Sequence, residues 1–103
     1  MLFMAKIILH LPGDWPKEKL EQMNLTERAR SMQFVRDGKL KRIYRIVGLR
    51  GNFSIWDAAS LEELHEILTS LPLHPYMNIE IYPLIKHTTT QAWEAEHGEM
   101  PAF

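Results

Sequence analysis

The 103-residue chain is long enough for one domain with a real core and too short for two. Its formal charge of −1, with no basic run or stripe, excludes a nucleic-acid-binding or anionic-membrane-binding reading. The absence of cysteine excludes a disulfide frame, thiolate chemistry and cysteine-bound zinc, and the expected setting is the cytoplasm.

Residues 2–11, LFMAKIILHL, are rich in β-formers and end at the turn signal Pro12-Gly13. They predict a first strand with Phe3, Ala5, Ile7 and Leu9 on one side and Met4, Lys6, Ile8 and His10 on the other. Lys6 interrupts the apolar opening and no basic stretch precedes it, so the start does not read as a secretory signal. No apolar run reaches the ~18 residues that a membrane span needs.

Asp14-Trp15-Pro16 opens a long helix running to about Gly38, with Asp14 or Trp15 near the cap and Pro16 in the first turn. On a 3.6-residue wheel Leu20, Met23, Glu27, Ser31 and Phe34 share one face, with Val35 at its margin. A carboxylate therefore sits in the middle of the core-facing stripe. An ionised carboxylate among apolar side chains is expensive unless it is paired or its pKa rises, so a helix built only for packing would carry Leu or Ala there. A second apolar stripe, Leu25, Ala29 and Met32, points elsewhere and predicts an oligomer.

Residues 40–49 and 51–57 read as two strands joined in a hairpin at Gly48 and Gly51. Ser60 and Glu63 form a capping box for a short helix that turns Leu61, Leu64, Ile67, Leu68 and Leu71 inward. The segment LPLHPYM is a proline-braced connector. Residues 78–85 form the last strand, with Pro83 at a bulge or an edge. Residues 88–103 read as a polar tail whose Trp93 and Phe103 dock on a neighbouring subunit.

The order βαββαβ predicts an α+β, ferredoxin-like domain over residues 1–87, with a four-stranded antiparallel sheet and two helices on one face. The histidines show no metal-ligand spacing, and His65 reads as a partly buried structural residue. No nucleotide-binding glycine motif follows a strand. The expectation is therefore no metal and no cofactor. What remains is Glu27 as a general base, with pKa raised by desolvation. Arg45 or Lys6 would hold a substrate carboxylate, and Asn52 or Ser54 would donate to a developing enolate oxygen. The bland alternative is that Arg45 and Lys6 merely pair with Glu27 and Glu80 across the sheet.

Several stretches together resemble the muconolactone Δ-isomerase family, without gaps from Met1 to His87. They are the opening Met1-Leu2-Phe3 with Lys6 and Leu11-Pro12, and the hairpin residues Arg45-Ile46, Gly48, Asn52, Ser54 and Asp57. The most specific is His65 and Leu68 followed by Leu71-Pro72-Leu73, Pro75-Tyr76-Met77 and Ile79-Glu80. The resemblance implies a cofactor-independent isomerase of aromatic catabolism that converts muconolactone to the 3-oxoadipate enol-lactone. In it Glu27 shuttles the proton, and dimers assemble into a decamer. The chain departs from the family at Met4, where the family carries a histidine near its active site. Two alternatives stand beside this reading: a dehydrohalogenase of chlorinated muconolactones, and a non-catalytic ferredoxin-like oligomer that binds a small acid.

Overall fold

A computed structural model of the chain describes residues 1–101, so the expected docking of Phe103 lies outside the described residues. Strand β1 (Leu2–Leu9) runs through the middle of a four-stranded sheet with β2 (Leu40–Arg45), β3 (Gly51–Asp57) and β4 (Met77–Leu84). The strand order is β2-β3-β1-β4, and every pairing is antiparallel. Helices α1 (Lys17–Arg36) and α2 (Leu61–Thr69) lie between the strands in sequence as the ferredoxin-like order requires.

The period-2 alternation of β1 sorts the sheet into two faces. Phe3, Ala5 and Ile7 are buried, and they form one core with Trp56, with Phe34 of α1 and with Leu64, Ile67 and Leu68 of α2. Both helices thus pack on the same face. The other face carries Met4, Lys6 and Ile8, and the register sets Lys6 beside Phe53 and Glu80. Pro83 sits on the edge strand β4, where a missing ladder donor is tolerated.

One irregularity matters for function. The pairing of β2 with β3 skips from Leu40 opposite Trp56 to Arg42 opposite Ile55, leaving Lys41 as a bulge. The extra residue reverses the alternation, so Ile43 and Arg45 follow Leu40 onto the inner face, opposite Ser54 and Asn52. Where β3 enters the sheet, Gly51 approaches β1 closely. A Cβ there would lie 2.5 Å from the Ile7 carbonyl oxygen, so only glycine fits.

Several boundaries differ from the sequence reading. The α1 cap is Pro16, whose side chain carries no hydrogen-bond acceptor, so no side-chain cap bond forms. Strand β2 stops at Arg45, and residues 46–50 form the reversal, with Gly48 at φ +81°. The tail is not irregular: residues 88–97 form a third helix, α3 (Thr88–His97), capped by the His87 ring accepting from the Thr89 N–H. α3 buries none of its residues. At α2 the Glu63 N–H donates to Ser60 Oγ at 3.1 Å as the capping box requires, while the reciprocal bond falls one residue earlier, the Glu63 carboxylate accepting from the Ala59 N–H at 3.4 Å.

Candidate active site

Between α1 and the β2–β3 side of the sheet lies a cavity of about 420 Å³. It exists because the residues facing one another there are small or polar. Ser31 on the helix and Asn52 and Ser54 on β3 do not fill the space that a pair of leucines would close. Its apolar walls come from Ile7, Leu9, Trp56, Leu71 and Leu73.

Glu27 projects into this cavity from the middle of α1 and is half-buried. Its Oε1 accepts the backbone N–H of Leu73 at 2.9 Å. That donor is presented by the proline-braced connector, so the LPL segment has a direct structural role. Burial pushes the Glu27 carboxyl above its ordinary value. Hydrogen bonds from the Leu73 N–H and the Ser31 hydroxyl pull the other way and are outweighed. Ser31 lies one turn along the helix, at i+4, where a side chain meets its neighbour. The carboxylate is therefore held by two donors and kept basic by its surroundings. That combination suits a group that must take up a proton and give it back.

Arg45 and Asn52 face each other across the β2–β3 ladder, and both line the cavity and an adjoining recess of about 290 Å³. The Asn52 Oδ1 is buried and has no hydrogen-bond partner among the described residues. A buried amide left orphaned costs stability, so a polar group that arrives with a ligand is its natural partner. Ser54 is fully buried, and its oxygen accepts from the Trp56 indole N–H at 2.8 Å. It fixes the Trp56 ring in the cavity wall, so its hydroxyl oxygen is already engaged.

Lys6 is not brought to this cavity. It stands on the opposite face of the sheet, because β1 alternates and Ile7, not Lys6, points toward α1. Met4 shares that outer face, opposite Ile55 and Tyr82, so the departure from the family at this position lies across the sheet from Glu27. The simple ion-pair reading also fails: among the described residues no salt bridge joins Arg45 or Lys6 to Glu27 or Glu80. Glu80 instead accepts from the Tyr82 hydroxyl at 2.7 Å. His65 is exposed rather than partly buried, since α2 turns Leu64 and Leu68 inward and leaves it on the flank.

Two cavity arginines, Arg28 and Arg50, were not singled out from the sequence, nor was Asn24 on α1. Arg28 adjoins Glu27 at the edge of the helical stripe, where a wheel assigns it to solvent. Arg50 belongs to the reversal after β2, where no periodicity predicts orientation. No group of three or more metal-ligating side chains occurs among the described residues. No described helix is long and apolar enough to cross a membrane.

The model of the muconolactone delta-isomerase family matches residues 1–90. Muconolactone Delta-isomerase of Rhodococcus opacus is 46% identical over 86 residues, which is 84% of this chain and 92% of that protein. The enzyme of the same name from Acinetobacter baylyi is 43% identical over 90 residues, 87% of this chain and 94% of its own length. A crystal structure of muconolactone isomerase superposes with a TM-score of 0.79 at 38% identity, covering 84% of this chain and 91% of the other. A 5-chloro-2-hydroxyhydroquinone dehydrochlorinase from Burkholderia phenoliruptrix shares the fold at 17% identity, with a TM-score of 0.63 over 86% of this chain and 98% of that one.

Proposed function

The chain belongs to the muconolactone delta-isomerase family, and on that premise we propose that it converts muconolactone to the 3-oxoadipate enol-lactone in aromatic catabolism. The reaction moves one proton and one double bond. Glu27 removes a proton from a ring carbon, the electron pair delocalises onto the lactone carbonyl oxygen as a dienolate, and the same proton returns at a second carbon. Atoms and charge balance without a further reagent, so no cofactor is required.

The observation that carries this reading is Glu27 itself, a carboxylate made more basic by burial in the wall of a cavity of lactone size. Arg45 pairs with the substrate carboxylate, and its guanidinium is suited to bidentate contact. The Asn52 amide N–H donates to the dienolate oxygen, its side chain being held at the cavity wall opposite Arg45. Arg28 and Arg50 add positive potential at the same cavity, which favours an anionic substrate. The protein works in the cytoplasm as a homo-oligomer of dimers assembled into a decamer. The exposed Leu25 and Met32 on the second stripe of α1 support such an assembly.

The test is turnover of muconolactone by the purified protein, followed as formation of the enol-lactone, beside Glu27→Gln. Turnover by the wild type and its collapse in the variant are expected. An inactive wild type removes the named activity, and an equally active variant removes the mechanism.

A further inference from the structure

The arginines of the chain divide by place. Arg30, Arg36 and Arg42 stand outside the Glu27 cavity, and each donates a hydrogen bond. Their acceptors are Ser70 Oγ at 3.2 Å, Gln33 Oε1 at 3.3 Å and the Lys41 carbonyl at 2.7 Å. Arg28, Arg45 and Arg50 all line the cavity. Among the described residues no ion pair engages these three guanidinium groups. A guanidinium carries five donors and a fixed charge, so three of them open on one cavity mark a place where anions arrive.

Their charge exceeds what the proposed reaction uses. Against three cations the cavity lining holds one carboxylate, Glu27, so its formal charge is +2 with Glu27 ionised, whereas the whole chain carries −1. Muconolactone brings one carboxylate, which Arg45 pairs. Arg28 on α1 and Arg50 at the end of the reversal remain for a second.

The cations also occupy two places. Arg45 lines both the cavity and the adjoining recess of about 290 Å³, while Arg28 and Arg50 line the main cavity alone. Arg50 is tied to β1, its backbone carbonyl accepting from the Leu9 N–H at 2.8 Å. Leu9 and Ile43 line both spaces, and Leu73 and Met77 extend the apolar wall of the larger one. An apolar wall between two cationic places suits a hydrocarbon chain with an anion at each end. A compact dianion such as sulfate would use neither the wall nor the separation.

We propose that the Glu27 cavity binds an open-chain six-carbon dicarboxylate, with one carboxylate on Arg45 and the other on Arg28 and Arg50, in competition with the lactone. The inference rests on the proposed function, because opening the ring of a six-carbon lactone acid creates a second carboxylate on the same carbon chain. The site then slows when ring-opened product accumulates.

Adipate is the probe, hexanoate its match with one carboxylate, and sulfate the compact dianion. Calorimetric titration of the full-length protein at low ionic strength is expected to show adipate binding about 10- to 100-fold more tightly than hexanoate, the worth of one further charge-assisted contact. Sulfate should bind more weakly than adipate. Combining Arg28→Gln with Arg50→Gln should bring adipate down to the hexanoate level, whereas Arg30→Gln outside the cavity should keep the preference. In turnover, adipate should raise the KM for muconolactone and leave kcat unchanged. Equal binding of adipate and hexanoate, sulfate binding as tightly as adipate, a preference that survives the double substitution, or a lack of competition overturns the proposal. Calorimetry reads binding without turnover. An inactive wild type that prefers adipate therefore removes only the proposed activity, and an active one without the preference removes only the dicarboxylate site.

Discussion

The two helices that cover the sheet were given different tasks, although they pack on the same face. α2 is nine residues long, is capped by Ser60, and buries Leu64, Ile67 and Leu68. α1 is twenty residues long, has no side-chain cap, and buries only Phe34. Where α2 presents a leucine, α1 presents Glu27, Ser31 and the cavity between them and β3. One side of the sheet is closed by packing, and the other is held open by polar side chains that packing alone would have replaced. The stability of the domain is therefore expected to reside in α2 and its chemistry in α1.

The sharpest way to break that division is Glu27→Gln. It should lower kcat by about a thousand-fold, as loss of a positioned general base does, while the protein stays folded. Leu64→Ala on α2 should behave in the opposite way. It costs about 3 kcal/mol of stability through the cavity it leaves, and a chemical or thermal melt reads this directly. Arg45→Ala should raise KM about 10- to 100-fold, the worth of a charge-assisted bond, whereas Lys6→Ala on the outer face should leave KM unchanged. The smallest effect is expected from Ser60→Ala, about 1 kcal/mol from the lost cap with no change in kinetics.

A pH series separates the helices again. Because the folded protein raises the Glu27 pKa, it binds that proton more tightly than the unfolded chain does. Wild-type stability contributed by this site is highest below the ordinary value of 4.5 and declines as pH rises through the elevated folded midpoint. Glu27→Gln should thus melt at a higher temperature than the wild type at neutral pH, with the difference vanishing near pH 4. A gain that grew toward acid would reverse the assignment.

Much of this was legible in the sequence, and the remainder was hidden for identifiable reasons. The Glu27 stripe could be read because a helix repeats its faces every 3.6 residues and a carboxylate interrupts an otherwise apolar row. Arg45 was placed on the inner face by its polar surroundings. Strict alternation from Leu40 would have turned it outward, and only the bulge at Lys41 brings it back. The engagement of Ser54 by Trp56 depends on a rotamer, which no pattern reports. Lys6 was a plausible cation until the sheet separated it from the helix. α3 buries none of its residues, so it carries no apolar period to read and its residues look like a polar tail.

The central claim is that the fold makes Glu27 a stronger base than an ordinary glutamate. Carbon-13 NMR titration of the glutamate side chains in the full-length protein tests it most directly, with Glu27→Gln identifying the resonance that disappears. A Glu27 midpoint above the ordinary glutamate value of 4.5 is expected, with the same midpoint in the acid limb of kcat/KM. A Glu27 resonance that titrates at or below the ordinary value of 4.5 would contradict it.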